Sequence, residues 1–190
     1  MTTRESGHVR GCRRFGVGIV LGCLAVFSSA CIPRPDTGGG PHQASCSSEF
    51  ALRSNEQPLG STADFLRVAE EMAVAAGTTT SLDEIARSAR WPDGRWDRVV
   101  MIGGSSTSAD VNELAGTTGI CFHGLGSGDY DSGFDGYYVF FDGPTPRQSA
   151  PTGSRPVIVT DASPVVDRDQ PLVSDTTVKR PVLRTTPAGP

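Results

Sequence analysis

The chain has 190 residues, with 17 Lys+Arg against 21 Asp+Glu, 37% hydrophobic and 7% aromatic residues, 23 Gly and 14 Pro. This composition suits one modest globular domain with loose ends and excludes a polytopic membrane protein, a collagen and a coiled coil. Lys179 is the single lysine beside 16 arginines, a residue usage that reflects a GC-rich genome rather than a basic partner surface.

The first 30 residues read as an export address. Arg4, Arg10, Arg13 and Arg14 precede an apolar stretch from Phe15, which has the length of a signal-peptide core and falls short of the roughly 20 residues a membrane-spanning helix needs. Small residues Ser28, Ser29 and Ala30 close it, directly before Cys31. This arrangement resembles the lipobox of bacterial lipoproteins, in which the cysteine after the cleavage point is acylated; it departs at the third position before the cysteine, where Ser28 stands in place of the usual Leu. The resemblance implies a signal peptide over residues 1–30, palmitate on Cys31 and a lipid anchor at the extracytoplasmic face of the cell membrane. Ordinary secretion by cleavage after Ala30 is the competing reading.

Cysteine number bears on the same question. Of Cys12, Cys23, Cys31, Cys46 and Cys121, cleavage removes two and acylation blocks a third, leaving an even pair in an oxidising compartment. A Cys46–Cys121 disulfide is expected. The competing arrangement is a Cys2His2 metal set with His42 and His123, whose spacings match no finger pattern; metal and cofactor are both expected to be none. Loss of four arginines and Glu5 leaves 13 basic and 20 acidic groups, a net charge of −7, which argues against nucleic acid as a partner.

Residues 31–47 hold a Gly run and three Pro and predict a flexible tether, able to extend about 45 Å at roughly 3.3 Å per residue. A helix is predicted over residues 62–76: Ser61 is placed to cap it, while Phe65, Leu66, Val68, Ala69, Met72 and Ala73 recur at helical spacing, and Gly77 can end it. Residues 78–82 have β-branched character, and Ser81 with Glu84 starts a second, shorter helix. Strands are predicted over 96–102, 120–123, 137–141 and 157–160, with a short helix over 109–114 closed by Gly116. Strands and helices do not alternate regularly, so an α+β class is expected: a small single domain, residues 48–160, with a mostly antiparallel sheet packed against one main helix. Residues 161–190, with five Pro and no sustained periodicity, are expected to be a disordered tail, although the short apolar pairs at Val165-Val166 and Val182-Leu183 could meet a sheet edge.

The sequence Trp96-Asp97-Arg98-Val99, followed by three apolar residues, a Gly, a Ser/Thr-rich loop and a short helix, resembles a group of small secreted or lipid-anchored bacterial proteins, actinobacterial in character and of unknown function. Their pattern runs WDRVYVFGPYT and ends in an aromatic-Val-Phe strand, matched here by Tyr137 to Phe141. The chain departs from that pattern at Gly104-Ser105-Ser106 and after Asp142. The resemblance implies compartment and fold and supplies no activity.

Four constellations bear on chemistry. Strand alternation would place Trp96 and Arg98 on one face, so that with His123 they form a candidate binding set for an acidic or sugar ligand; the plainer expectation is Trp96 packed under the first helix. The run Gly103-Gly104-Ser105-Ser106-Thr107-Ser108 between strand and helix could hold an anion but lacks the spacing of a phosphate-binding loop, and a Ser/Thr helix cap is expected. Asp129, Asp131 and Asp135 invite a calcium reading, yet the loop fails the EF-hand pattern at three positions. A hydrolytic triad would need His123 with Ser105, Ser106 or Ser108 and with Asp97 or Asp110. The chain is thus expected to be more a binding or scaffolding protein than an enzyme, with an envelope protein or polymer as partner and no assigned catalytic residue. An envelope hydrolase using His123 and a nearby serine is the alternative.

Overall fold

A computed structural model of the chain describes residues 46–92, 95–126, 136–153, 156–161 and 163–186. Residues 1–45, which include the expected signal peptide, Cys31 and all but the end of the expected tether, and the Asp129 to Asp135 loop lie outside the described residues. In chain order the elements are β1 (Ser48–Ala51), α1 (Thr62–Val74), β2 (Thr79–Thr80), α2 (Leu82–Ser88), β3 (Arg98–Gly103), α3 (Ser108–Ala115), β4 (Ile120–His123), β5 (Gly136–Asp142), β6 (Thr145–Pro151), β7 (Ile158–Val159), β8 (Val165–Asp167), β9 (Leu172–Asp175) and β10 (Val182–Thr185). The strands form a central sheet ordered β6-β5-β3-β8, a second sheet ordered β2-β9-β10-β7, and a parallel pair β1-β4. Apart from β1-β4 and β7-β10, the strand pairings described are antiparallel, and the α+β class holds.

The central sheet explains the aromatic-rich run from Tyr137 to Phe141. Residues 136–141 are all buried, because β5 is covered on both faces, as strands with no solvent side must be. Tyr138 and Phe140 point into one cluster with Phe65, Val68 and Ala69 of α1, Leu82 and Ile85 of α2, and Leu172 and Leu183 of the second sheet. Tyr137, Val139 and Phe141 point the other way, against Val111 and Ala115 of α3 and Ile120 and Phe122 of β4. In β3, Val99 belongs to the first cluster and Val100 and Ile102 to the second, the period of two that a strand imposes.

Helix ends follow their caps. Ser61 Oγ accepts from Asp64 N at 3.1 Å and Ser81 Oγ from Glu84 N at 3.2 Å, each satisfying a donor that the first helical turn leaves open. Thr107 and Asp110 form a reciprocal capping box on α3, which stops at Gly116, where φ is +65° and glycine alone carries no side-chain penalty. α1 ends at Val74, two residues before the expected end, with Ala75 as its cap.

The C-terminal segment corrects one expectation. Residues 163–186, assigned from the sequence to a disordered tail, supply β8, β9 and β10, and the domain therefore continues past residue 160. β8 pairs with β3, and β10 lies between β9 and β7. Val166, Leu172 and Leu183 are each fully buried. Strands of three or four residues that bury about one side chain each leave no periodic signal, and prolines between them suggest disorder when read locally. Of the two apolar pairs singled out as able to meet a sheet edge, Val165-Val166 forms an edge strand of the central sheet, while Val182-Leu183 lies in an interior strand of the second. β1 and β6 were also without a strand signal, β6 because it contains Pro146, Arg147, Gln148 and Ser149 and forms an edge of the central sheet.

Two buried polar side chains join separate parts of the fold. Tyr138 Oη donates to Ile158 O and accepts from Ile158 N, both at 3.0 Å, fastening β7 to the central sheet. Gln148 Oε1 accepts from Leu59 N and its Nε2 donates to Gly60 O, both at 2.8 Å, so one amide holds the loop before α1 against β6. Gly60 has φ of +122°, and a Cβ there would lie 2.4 Å from Trp91 Cδ1, so the loop requires glycine at this point.

Candidate functional site

The three candidate binding residues do not converge. Trp96 precedes β3 and is buried among Trp91, Phe65 and Phe140, with ring centroids 6.5 Å from Trp91 and 5.3 Å from Phe140. Its Nε1 has no hydrogen-bond partner among the described residues, and the Arg168 guanidinium lies 5.3 Å from its ring centroid. Arg98 turns to the opposite face of the sheet, where it lies 5.3 Å from the centroid of Phe141. Its Nη2 donates to Ala115 O at 2.6 Å and its Nη1 to Asp97 Oδ1 at 2.8 Å, closing the C-terminal end of α3. The strand alternation that would have made Trp96 and Arg98 neighbours begins only at Arg98, so it does not extend back to the tryptophan. Trp96 shares its buried cluster with Phe65, Val68 and Ala69 of α1, while its ring contacts are to Trp91 and Phe140.

His123 is exposed at the end of β4, and its Nε2 lies 3.5 Å from Glu49 Oε2 across the parallel pair. Ser108, Asp97 and Asp110, three of the groups that could complete a triad, are engaged in other hydrogen bonds. Ser108 Oγ accepts from Phe122 N at 2.9 Å, tying α3 to β4. Asp97 Oδ2 accepts from Gly143 N at 2.8 Å. Asp110 accepts from both the backbone N–H and the hydroxyl of Thr107, and these bonds hold its carboxyl below the ordinary carboxylate value. Among the described residues, no serine hydroxyl hydrogen-bonds to His123. The Gly-Ser-Thr run thus serves as a helix cap, in line with the sequence reading.

Cys46 and Cys121 form a disulfide, with Cα atoms 5.6 Å apart. Their sulfurs bond to each other, so the alternative Cys2His2 metal set does not form, and the described residues contain no cluster of His, Cys, Asp and Glu able to hold a metal ion. The bridge joins the chain two residues before β1 to the centre of β4. It thereby anchors a strand of four residues whose one strand partner is β4.

That anchored strand leads into a pair of surface clefts. After β1 the chain turns back over β6, held by Ser149 Oγ donating to Leu52 O at 2.6 Å. On one side of this crossing lies a cleft of about 480 Å³, lined by Arg53, Gln57, Thr62, Tyr137, Ser149 and Pro151 among others. Arg53 Nε donates to Tyr137 Oη at 3.0 Å, which places the guanidinium at the cleft. On the other side lies a cleft of about 320 Å³ lined by Glu49, Phe50, Ser54, Glu56, Arg147 and Ser149 among others. Ser54 and Ser149 line both, so the two form adjoining parts of one surface. Sequence reading did not find this region. The polar run Arg53-Ser54-Asn55-Glu56-Gln57 carries no motif, and β6 had no strand signal, so nothing local shows that they face one another.

No protein-family model matches the chain, and neither a curated protein nor a solved structure shows significant similarity to it.

Proposed function

We propose that the protein is exported, anchored by a lipid on Cys31 at the extracytoplasmic face of the cell membrane, and acts there as a binding or scaffolding module for an envelope protein or polymer. The Cys46–Cys121 disulfide is the observation that carries this reading. Disulfides persist in oxidising compartments and are rare in the cytosol. With Cys46 and Cys121 paired and Cys12 and Cys23 in the discarded segment, Cys31 is the one cysteine left to a mature chain, at the position a lipoprotein acylates. The resemblance of the Trp-Asp-Arg-Val segment to small lipid-anchored proteins agrees with this compartment. The two adjoining clefts, with polar and charged walls, favour a binding role, and the engagement of Ser108, Asp97 and Asp110 in helix and loop contacts disfavours the hydrolase alternative.

The test is mass spectrometry of the mature N-terminus with and without globomycin, which blocks lipoprotein signal peptidase. An acylated Cys31 that disappears on treatment, with accumulation of the precursor, is expected. An unmodified N-terminus in released protein would overturn the anchor.

A further inference from the structure

We infer that the Cys46–Cys121 bridge is a force-bearing joint: it passes tension arriving from the N-terminal side of the chain directly into β4 and keeps it off β1 and the cleft-lining segment that follows. The inference rests on the proposed anchor at Cys31 for the source of that tension. A domain held to a membrane through Cys31 and to an envelope partner through its surface is pulled from its N-terminal side, and the described fold begins at Cys46. Without a bridge the pull would arrive at β1. That strand has four residues, three of them exposed, and β4 is its one strand partner among the described residues. The contacts that add to this pairing lie at or near the surface. Ser47 N and Oγ donate to Gly119 O at 2.7 and 3.0 Å, Phe50 meets Phe122 with ring centroids 5.9 Å apart, and Glu49 lies 3.5 Å from His123. Beyond β1 the chain is held where Ser149 meets Leu52 and Tyr137 meets Arg53, so peeling β1 from its start leads directly to the walls of both clefts.

The bridge changes the covalent path. Tension crosses from Cys46 to Cys121 and continues toward the C-terminus from residue 122, so residues 47–120 close a loop that the pull cannot draw out. The joint lands between Ile120 and Phe122, both buried in the cluster against the central sheet. α3 grips the same strand: Ser108 Oγ accepts from Phe122 N at 2.9 Å, and the Asn112 amide donates to Ile120 O at 2.8 Å and accepts from Ile120 N at 3.3 Å. α3 is itself seated in that cluster through Val111 and Ala115. Moving β4 therefore exposes buried apolar side chains and breaks these bonds together, whereas moving β1 exposes little, and the element with the lower barrier yields first under force.

Single-molecule force spectroscopy of the full chain, held by handles at its two termini, reads the load path. The Cys46→Ser/Cys121→Ser variant is expected to release up to about 40 Å in a first step below its main unfolding force, the length of residues 47–59 at roughly 3.3 Å each. The oxidised chain is expected to lose that step and to hold to a higher force before it first extends. If the double variant does not fold, the oxidised chain is gripped at the exposed Ala51 through an azide-bearing side chain in place of the N-terminus. This grip lies inside the bridged loop and loads residues 52–59 directly, so an early step of up to about 25 Å is expected despite the intact bridge. A first event at the same force with and without the bridge, or no early step with the grip at Ala51, would overturn the inference. The handles supply the tension themselves, so failure here leaves acylation of Cys31 standing, and an unmodified Cys31 in the globomycin experiment would remove the membrane as the source of load while leaving the force measurements unchanged.

Discussion

Replacing Gln148 by Leu tests how the region before α1 is held to the sheet. Gln148 is 2% exposed, and its amide makes two hydrogen bonds of 2.8 Å, one to Leu59 N and one to Gly60 O. Leucine preserves most of the volume but leaves a buried N–H and a buried C=O unpaired. Each such group costs about 1–3 kcal/mol, so the pair should cost about 2–6 kcal/mol, a large part of the roughly 5–15 kcal/mol that stabilises a domain. Urea unfolding measures it, with an expected fall in midpoint and an unchanged slope. Tryptophan fluorescence is a suitable signal, since Trp91 Nε1 donates to Ser61 O at 3.0 Å, next to the held loop, and the chain has only two tryptophans. Gln148→Glu gives a second reading of the same geometry. Its carboxylate can still accept from Leu59 N but opposes Gly60 O, whereas the protonated form can donate there. Burial raises such a carboxyl, so that variant should be less stable at neutral pH and recover as the pH is lowered. A Gln148→Leu midpoint within about 0.5 kcal/mol of the unsubstituted protein would show that the loop is held by other contacts and refute the reasoning.

Removing the disulfide with Cys46→Ser and Cys121→Ser, a separation of 75 residues, should cost about 4–5 kcal/mol in the chain-entropy account; thermal unfolding that is unaffected by a reductant would contradict it. Burial pushes the Asp83 carboxyl up, but hydrogen bonds from Arg168 and Arg87 outweigh it and hold the group below its ordinary value of 3.8. Its stabilisation is therefore complete above that value and lost as pH falls through the depressed one, and Asp83→Asn should flatten this part of the acid-unfolding curve. Burial raises Tyr138 from 10.0 to about 12 despite its backbone hydrogen bonds at Ile158 and Val157. Stability should thus be lost as pH rises between these values, by about 3 kcal/mol, and Tyr138→Phe should abolish this alkaline dependence in a pH series of urea melts. Limited trypsin digestion should leave the bonds after Arg168 and Arg184 as resistant as that after Arg98, since all three arginines lie in or beside paired strands; early loss of residues 169–190 would count against the three C-terminal strands.

Much of the fold was legible wherever one segment carried its own signal. Ser61, Ser81 and Thr107 mark helix starts because a hydroxyl must reach a backbone N–H a few residues on, and that geometry is local. The run from Tyr137 to Phe141 announces a strand buried on both faces. β1, β6 and β8 to β10 were not legible, because each buries few side chains and owes its place to neighbours distant in the chain: Leu183 to Ile158 and Ser174, Val166 to Val99. Of the candidate site residues, Trp96 is buried in the core cluster, and its pairing with Arg98 failed because the strand begins at Arg98, two residues after Trp96.

The sequence by itself determined the helix starts, the central strands, the partners in the disulfide and the acidic balance of residues 31–190. These are properties of composition, periodicity and counting. Only the tertiary structure decided that residues 163–186 belong to the domain, that Gln148 and Tyr138 act as buried clasps, and that Glu49, Glu56 and Arg147 line one cleft. An edge strand and a returning loop become a site only where the fold brings them together, and the energy that does so comes from burying side chains such as Leu59, Phe140 and Leu183 far from the site itself.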